Sequence, residues 1–220
     1  MVKGISAEEL VRRHPRLFHM AEVGSWPGIE RHGLLSTTAL LDLFGLRGEE
    51  REALEARRRP RSVRIEHPLH GQAVIRDQQP MHDTGLLRCL EGGLTPTQWY
   101  RILNAQVFFW LDGERLERLL KARAYRNRRQ TVLTVDTACL LSRHEARVRL
   151  CAINSGATLY KPQPRGRDSF MALADWTHKH GPRGDIVELT VQHSVPDLQA
   201  CVLHVEERGG GLPTKVLLTR

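Results

Sequence analysis

The feature that most constrains the fold is a series of short apolar runs, separated by turns and amphipathic helices in no regular order. The clearest runs are VFFWL (107–111), VRLCAIN (148–154) and ACVLHVEE (200–207). A strict alternation of strands and helices would indicate a parallel sheet, and that rhythm is missing. Neither a GxGxxG turn nor a GxxxxGK loop occurs, which excludes Rossmann and P-loop motifs. The pattern predicts an α+β fold with antiparallel or mixed sheets and flanking helices.

One domain over residues 1–220 is expected, because a chain of 220 residues has the usual size of one domain and shows no linker or internal repeat. Its N-terminus has no apolar signal-peptide region. No stretch approaches the ~20 apolar residues that a membrane span requires. We therefore expect a cytoplasmic protein without a membrane partner.

The four cysteines are expected to be free thiols. Cys89, Cys139, Cys151 and Cys201 form no CxxC pair, and Cys139 and Cys151 lie in runs that favour buried strands. Disulfides are uncommon in chains that have a sizeable core and no secretion signal. Packing as small hydrophobic side chains is the expected role.

Several local signals predict individual elements. LFHMA (17–21) and SVRIEH (62–67) favour strands, and GEEREALEARRRPR (48–61) favours a charged helix. Thr95 followed by Pro96 indicates a helix start. Residues 70–81 are predicted to be a loop, 131–141 a strand running into a turn, and 170–180 a short helix.

The charge balance is basic. The chain has 33 Lys and Arg against 25 Asp and Glu, a formal net charge of +8 at pH 7. Most of the excess is arginine, whose planar donor fork suits phosphate. The balance favours an anionic partner such as nucleic acid, although arginine-rich composition also marks proteins encoded by GC-rich genomes.

Three segments combine residues that suit chemistry. FHMAEVGSWPGIERHGLLST (18–37) places His19 on a strand and Ser36 after a glycine turn. VFFW (107–110) is an aromatic strand, and DIVELTVQHSVPD (185–197) has Glu188 inside an apolar strand. Taken singly, His19 could be a core histidine and Glu188 a solvent-facing strand residue.

Together these segments resemble the ADP-ribosyltransferases, in particular the DarT-like group that modifies DNA bases. LCAINSGAT (150–158), a strand that ends in a turn of small residues, fits the same order of parts, and the resemblance covers about two thirds of the chain in patches. It implies an ADP-ribosyltransferase-like pair of split sheets, NAD as substrate and Glu188 as the catalytic carboxylate. The residues that the resemblance implies for NAD binding are His19, Met20, Leu35, Ser36, Phe109 and Trp110.

The family also uses an arginine between the first two motifs, and this chain offers several. We favour Arg76, in VIRDQ, because it interrupts an apolar run instead of lying in a charged helix. The other candidates are Arg57, Arg58, Arg59, Arg61 and Arg64. The R-S-E triad of related toxins is not evident.

In the family, the segment before the final glutamate recognises the acceptor. Residues 160–183 hold that position and combine basic and aromatic side chains, which suit phosphate contacts and base stacking. An ordinary flexible surface loop is the alternative. The candidates for acceptor binding are Lys161, Arg165, Arg167, Trp176, Lys179 and Arg183.

The sequence leaves three functions open. The first is an ADP-ribosyltransferase that acts on DNA or RNA, as a toxin or defence enzyme with an antitoxin or hydrolase partner. The second is an RNA 2′-phosphotransferase of the same fold, and the third is a non-enzymatic nucleic-acid-binding module with a closed pocket at His19. No metal is expected, because HPLH (67–70) and HKH (178–180) lack ligand partners at metal-site spacing.

Overall fold

The computed structural model describes residues 4–177 and 186–220 and confirms the α+β class. The helices are α1 (Ala7–Arg13), α2 (Trp26–His32), α3 (Thr37–Leu43), α4 (Gly48–Glu55), α5 (Asp83–Leu87), α6 (Pro96–Asn104), α7 (Gly113–Lys121) and α8 (Thr137–His144). The strands are β1 (Arg16–Glu22), β2 (Leu34–Leu35), β3 (Val63–His67), β4 (Gly71–Ile75), β5 (Gln106–Trp110), β6 (Arg129–Asp136), β7 (Val148–Cys151), β8 (Glu188–Gln192), β9 (Ser194–Val195), β10 (Val202–Gly209) and β11 (Leu212–Thr219).

The main sheet has the order β11-β10-β6-β1-β5-β8-β7, and its neighbouring strands run antiparallel. Pairing is uneven along this order. β1 pairs with β6 along its whole length, from Arg16 to Glu22, but with β5 only at Phe18 opposite Trp110. The sheet is therefore almost divided between β1 and β5.

Two small antiparallel pairs flank the main sheet. β3 and β4 form a hairpin, and β2 pairs with β9. Gly33, just before β2, has φ 77°, and a Cβ atom there would lie 2.5 Å from the Cα of Pro196. Only glycine tolerates both conditions, so this residue brings β2 close to β9 and fixes the turn that leads to Ser36.

Local capping explains where the best-defined helices begin. Thr95 and Gln98 form a reciprocal capping box at α6, with Pro96 in the first turn, as the sequence predicts. The Ser36 hydroxyl accepts a hydrogen bond from the Ala39 N–H at 3.1 Å and starts α3. Ser36 therefore joins β2 to α3: its backbone N–H donates to the His193 carbonyl at 2.9 Å and its hydroxyl caps the helix.

The largest core cluster fills the space between the main sheet and helices α1 and α8. It includes Leu10, Leu17, Val135, Leu140 and Leu189, all with no exposed surface. Separate apolar clusters lie under α3 with the β3–β4 hairpin and around α6. The sheet is thus anchored on one side by a continuous core.

Three element predictions were wrong. Residues 71–75 form β4, because the β3 strand supplies them with backbone partners that local sequence does not reveal. Residues 137–144 form helix α8, capped by Asp136, instead of a turn. Within 170–177 there is a single 3-10 turn at Leu173–Asp175 in place of a helix, and the rest of that prediction lies outside the described residues.

The expectation of four free thiols was wrong for one pair. Cys139 and Cys201 form a disulfide that joins the first turn of α8 to the segment before β10. Cys139 lies on a helix and not on a strand, which brings its Cα within 5.3 Å of the Cα of Cys201. Cys89 and Cys151 are free and buried, as predicted.

No helix within the described ranges is long and apolar enough to cross a membrane. The cytoplasmic location stays a prediction, and the disulfide gives it no support, since reducing compartments disfavour such bonds.

Candidate functional site

A cavity of about 360 Å³ lies where β1 and β5 separate. Its lining brings together all the side chains predicted to act in catalysis or NAD binding, although they come from distant parts of the chain. A volume of this size falls in the range of small-molecule sites. The predicted residues in the lining are His19, Met20, Leu35, Ser36, Arg76, Phe109, Trp110 and Glu188.

The two faces of the sheet both reach this cavity. Trp110 lies directly opposite Phe18 in β1 and Glu188 in β8, so these side chains share one face. His19 belongs to the other face, with Phe109. Access from both faces is possible because β1 and β5 are paired at a single position.

The His19 ring bridges the gap between the two strands. Its Nδ1 lies 2.8 Å from the carbonyl oxygen of Phe108, so Nδ1–H donates and the neutral ring offers Nε2 as an acceptor. Burial lowers the pKa of His19 to about 4, although the Phe108 hydrogen bond opposes the shift. His19 is therefore uncharged at neutral pH.

The two predicted stacking residues, Phe109 and Trp110, differ in burial. Phe109 is 1% exposed and packs edge-on against the His19 ring, with 5.9 Å between ring centroids. Trp110 is only partly buried and faces Glu188 across the strand pair. Of the two predicted stacking residues, Trp110 is accessible to a ligand, whereas Phe109 supports His19 from the core.

Glu188 is 4% exposed and is held by one residue of the turn after β7. Its Oε2 accepts a hydrogen bond from the Ser155 hydroxyl at 2.7 Å, and both carboxylate oxygens lie within 3.3 Å of the Ser155 backbone nitrogen. Burial raises the pKa of Glu188 to about 7, against the lowering effect of these hydrogen bonds and of the Arg165 charge. The carboxyl group thus titrates near neutral pH.

Arg165 lies beneath the same turn and is 1% exposed. Its Nη1 donates to the carbonyl oxygen of Ser155 at 2.9 Å and its Nε to that of Gln163 at 3.0 Å. The prediction that Arg165 binds the acceptor was wrong, because its guanidinium is used to hold the turn that positions Glu188.

Trp176 was also wrongly assigned to acceptor binding. It is 1% exposed and belongs to the main core cluster, where its ring has no access to a base. Lys161 and Arg167 are exposed, and their role stays a prediction. Lys179 and Arg183 lie outside the described residues.

Arg76 is one of the six candidate arginines that the sequence offered between the first two motifs. It lines the cavity, and two of its guanidinium nitrogens have no hydrogen-bond partner among the described residues. Its Nη1 donates to the Met20 carbonyl at 2.9 Å, and its guanidinium lies 5.0 Å from the centre of the Tyr125 ring. Its Nε and Nη2 are enclosed and have no hydrogen-bond partner among the described residues; the nearest carboxylate oxygen, on Glu22, lies 3.9 Å from Nε. Two free N–H groups on a largely enclosed cation suit an anionic ligand.

Arg59 also reaches the cavity, but its donors are occupied. Its Nε donates to the Arg76 carbonyl at 3.0 Å, its Nη2 to Asn104 Oδ1 at 2.9 Å, and its Nη1 to the Leu54 carbonyl. Arg59 therefore braces the backbone at Arg76, and the contrast supports the choice of Arg76 from the sequence.

Sequence reasoning noted the turn in LCAINSGAT (150–158) but did not count its residues in the site. Asn154, Ser155 and Gly156 line the cavity, and the run of small residues directly after a strand was the available signal. Tyr160, on the loop that follows this turn, is 92% exposed. Its position beside Lys161 was visible in the sequence, but nothing there indicated that Tyr160 would face outward and Trp176 inward.

Comparison with known proteins gives a family but no characterised relative. No curated protein and no solved structure matches the chain. A family of unknown function, DUF7002, has a model that matches residues 15–202. That range contains every predicted site residue from His19 to Glu188, and the chain belongs to the DUF7002 family.

Proposed function

We propose that this protein is an NAD-dependent ADP-ribosyltransferase with a nucleic acid as acceptor. The observation that carries the proposal is the Glu188 carboxyl group. It is enclosed in the cavity wall, held by Ser155, and shares its cavity with a neutral histidine and an arginine whose Nε and Nη2 have no hydrogen-bond partner in the described part of the chain. The joint presence of Glu188, His19 and Arg76 fits a ligand that carries both ribose hydroxyls and phosphates.

In the proposed reaction, the bond between the ribose carbon and the nicotinamide nitrogen of NAD breaks, and nicotinamide leaves with the bonding electron pair. The positive charge that develops on the ribose is stabilised by ionised Glu188. A nucleophilic atom of the acceptor then bonds to the ribose carbon, and Glu188 accepts the proton that this atom releases. If water takes the place of the acceptor, the same site hydrolyses NAD.

The other side chains suit binding. Nε2 of neutral His19 can accept a hydrogen bond from a ribose hydroxyl, and the Ser36 hydroxyl lies in the same lining. The free N–H groups of Arg76 suit the pyrophosphate. Trp110 offers its ring to nicotinamide, opposite Glu188.

A nucleic-acid acceptor is favoured by the net charge of +8 and by the exposed Tyr160 and Lys161 on the loop that follows the Ser155 turn. A role as a toxin or defence enzyme, with an antitoxin or hydrolase as partner, belongs to the same proposal. The cavity at His19 is our reason to favour an enzyme over a non-enzymatic module, for which we expect a closed pocket.

The test is nicotinamide release from NAD by the purified protein, with and without single-stranded DNA or RNA. We expect Glu188→Gln to reduce release by about a hundredfold or more, because the variant keeps the shape but loses the charge that stabilises the transition state. Glu206→Gln, on β10 and outside the cavity lining, is the matched control and should retain activity.

Full activity of Glu188→Gln would refute the assignment of the catalytic carboxylate. A parallel assay with 2′-phosphorylated RNA tests the alternative function, an RNA 2′-phosphotransferase. That reaction would remove the phosphate from the RNA and would not need Glu188. Activity in that assay alone would replace the proposal.

A further inference from the structure

The cavity has a second end, formed by aromatic and imidazole rings, that the proposed catalytic chemistry does not use. His32 is the last residue of α2, Phe44 follows α3, and His70 lies in the turn of the β3–β4 hairpin. All three line the same cavity as Arg76. Three separate segments therefore converge on one ring-lined end.

The rings at this end pack against one another, with His70 at the centre of the contacts. His70 stacks on His67 with 4.6 Å between centroids and a 25° angle between planes. His67 is held in turn, since its Nδ1 accepts the Leu69 N–H at 3.2 Å. His32 and Phe44 pack against His70 at 5.1 Å and 6.0 Å. His67 thus braces His70, which faces the cavity beside His32.

Two ring nitrogens at this end lack a partner. His32 Nε2 and His70 Nδ1 are enclosed, and neither has a hydrogen bond to any of the described residues. Enclosed polar atoms in folded proteins normally have partners, so this pair indicates a group that is supplied from outside the chain.

A metal ion is a poor candidate for that group. No set of three His, Cys, Asp or Glu side chains in residues 4–177 and 186–220 is placed to hold one. His67 and His70 present stacked faces instead of converging nitrogens.

The rings and ring nitrogens of this end suit a flat heteroaromatic ligand. The pKa of His70 is lowered, first by loss of hydration and then by the neighbouring His67, His32 and Arg31 charges. A neutral imidazole has one donor and one acceptor nitrogen, and a heteroaromatic base presents both kinds of group along its edge. The surrounding ring faces suit stacking on a flat ligand.

We propose that this end of the cavity binds a purine base, with His32 Nε2 and His70 Nδ1 on the edge of the base. The inference rests on the proposed function for the identity of the base, which is then the adenine of NAD. Arg76 lines the same cavity, so a nucleotide whose phosphates meet Arg76 can place its base against these rings.

The experiment measures binding of two half-ligands, AMP and nicotinamide mononucleotide, by isothermal titration to four proteins. These are the unmodified chain, His70→Ala, His70→Phe and the control His204→Phe, whose histidine lies on β10 outside the cavity lining. Thermal unfolding and circular dichroism confirm that each variant is folded.

We expect His70→Ala to weaken AMP binding about tenfold, since both a stacking face and a hydrogen bond are lost. His70→Phe keeps the face and should weaken it less, while His204→Phe should have no effect. Binding of nicotinamide mononucleotide should be unchanged in all variants. Equal effects on both ligands, no effect on AMP, or no AMP binding at millimolar concentration would overturn the inference.

The outcome is separable from that of the proposed function. If AMP binding depends on His70 but NAD is never consumed, the purine site stands and the transferase proposal fails. If NAD is consumed in a Glu188-dependent manner and the His70 variants bind AMP normally, the transferase stands and the purine site is rejected.

Discussion

The predicted site residues on strands and those on the loop before Glu188 differ in where their side chains lie. His19 and Glu188 lie on regular strands, and both line the cavity. The loop candidates Arg165 and Trp176 instead point inward and are each 1% exposed. A strand alternates its side chains between two faces, so its pattern limits where each can point. An irregular loop has no such period, so residue type alone does not show which of its side chains are buried.

The largest effect that can test this contrast is on stability. Trp176→Ala should lower the free energy of unfolding by about 3–5 kcal/mol, because it empties a ring-sized space in the main core. Tyr160→Ala, on the same loop and 92% exposed, is the matched control and should change it by less than about 0.5 kcal/mol. Urea unfolding of both variants gives the comparison. Similar stabilities would mean that Trp176 is not a core residue.

The next effect concerns the strand residues, where the half-buried His19 and the buried Glu188 have opposite pH dependences. The pKa of His19 is lowered from 6.5 to about 4, so its contribution to stability is present above pH 6.5 and is lost as pH falls towards 4. The pKa of Glu188 is raised from 4.5 to about 7, so its contribution is present below pH 4.5 and is lost as pH rises through 7. Between these limits the two trends largely cancel in the unmodified protein.

Removing one group should therefore remove its trend. Relative to the unmodified protein, the free energy of unfolding of Glu188→Gln should rise by about 3 kcal/mol from pH 4.5 to 7, and that of His19→Gln should fall by about 3 kcal/mol from pH 4 to 6.5. The measurement is urea unfolding at pH steps across this range. Slopes of the same sign in both variants would contradict the assigned environments.

The parts of the fold that the sequence predicts are those with a clear local pattern; the parts that depend on distant segments are not predicted. The Thr95 capping box could be predicted because it depends on neighbouring residues, and β1 because its apolar run is typical of a buried strand. β4 could not, because only Ile75 of its five residues is buried and its sequence shows no clear strand pattern. The Cys139–Cys201 disulfide could not, because it depends on the fold of α8.

The candidate site divides in the same way. Motif resemblance predicted His19 and Glu188, the interruption of an apolar run predicted Arg76, and the structure brings all three to one cavity. The Ser155 turn and the imidazole end of the cavity are formed by segments that meet only in the folded chain. His32 and His70, for instance, lie on α2 and on the β3–β4 hairpin, and no local pattern connects them.

The smallest expected effect lies on the exposed part of the loop, where we expect Tyr160, and not the buried Trp176, to contact the acceptor. Tyr160→Ala should weaken binding of single-stranded DNA or RNA by about 1–3 kcal/mol, the usual contribution of one base stacked on an aromatic ring. Tyr160→Phe keeps the ring and should bind as the unmodified chain does, which separates stacking from the hydroxyl. Fluorescence anisotropy measures this binding, at a fixed salt concentration because phosphate contacts such as that expected of Lys161 depend on salt.

Equal binding by all three proteins would mean that acceptor recognition lies elsewhere and that the loop is an ordinary surface segment. A loss of binding in Tyr160→Ala alone would show that the exposed Tyr160 ring, and not the buried Trp176 ring, contacts the nucleic acid.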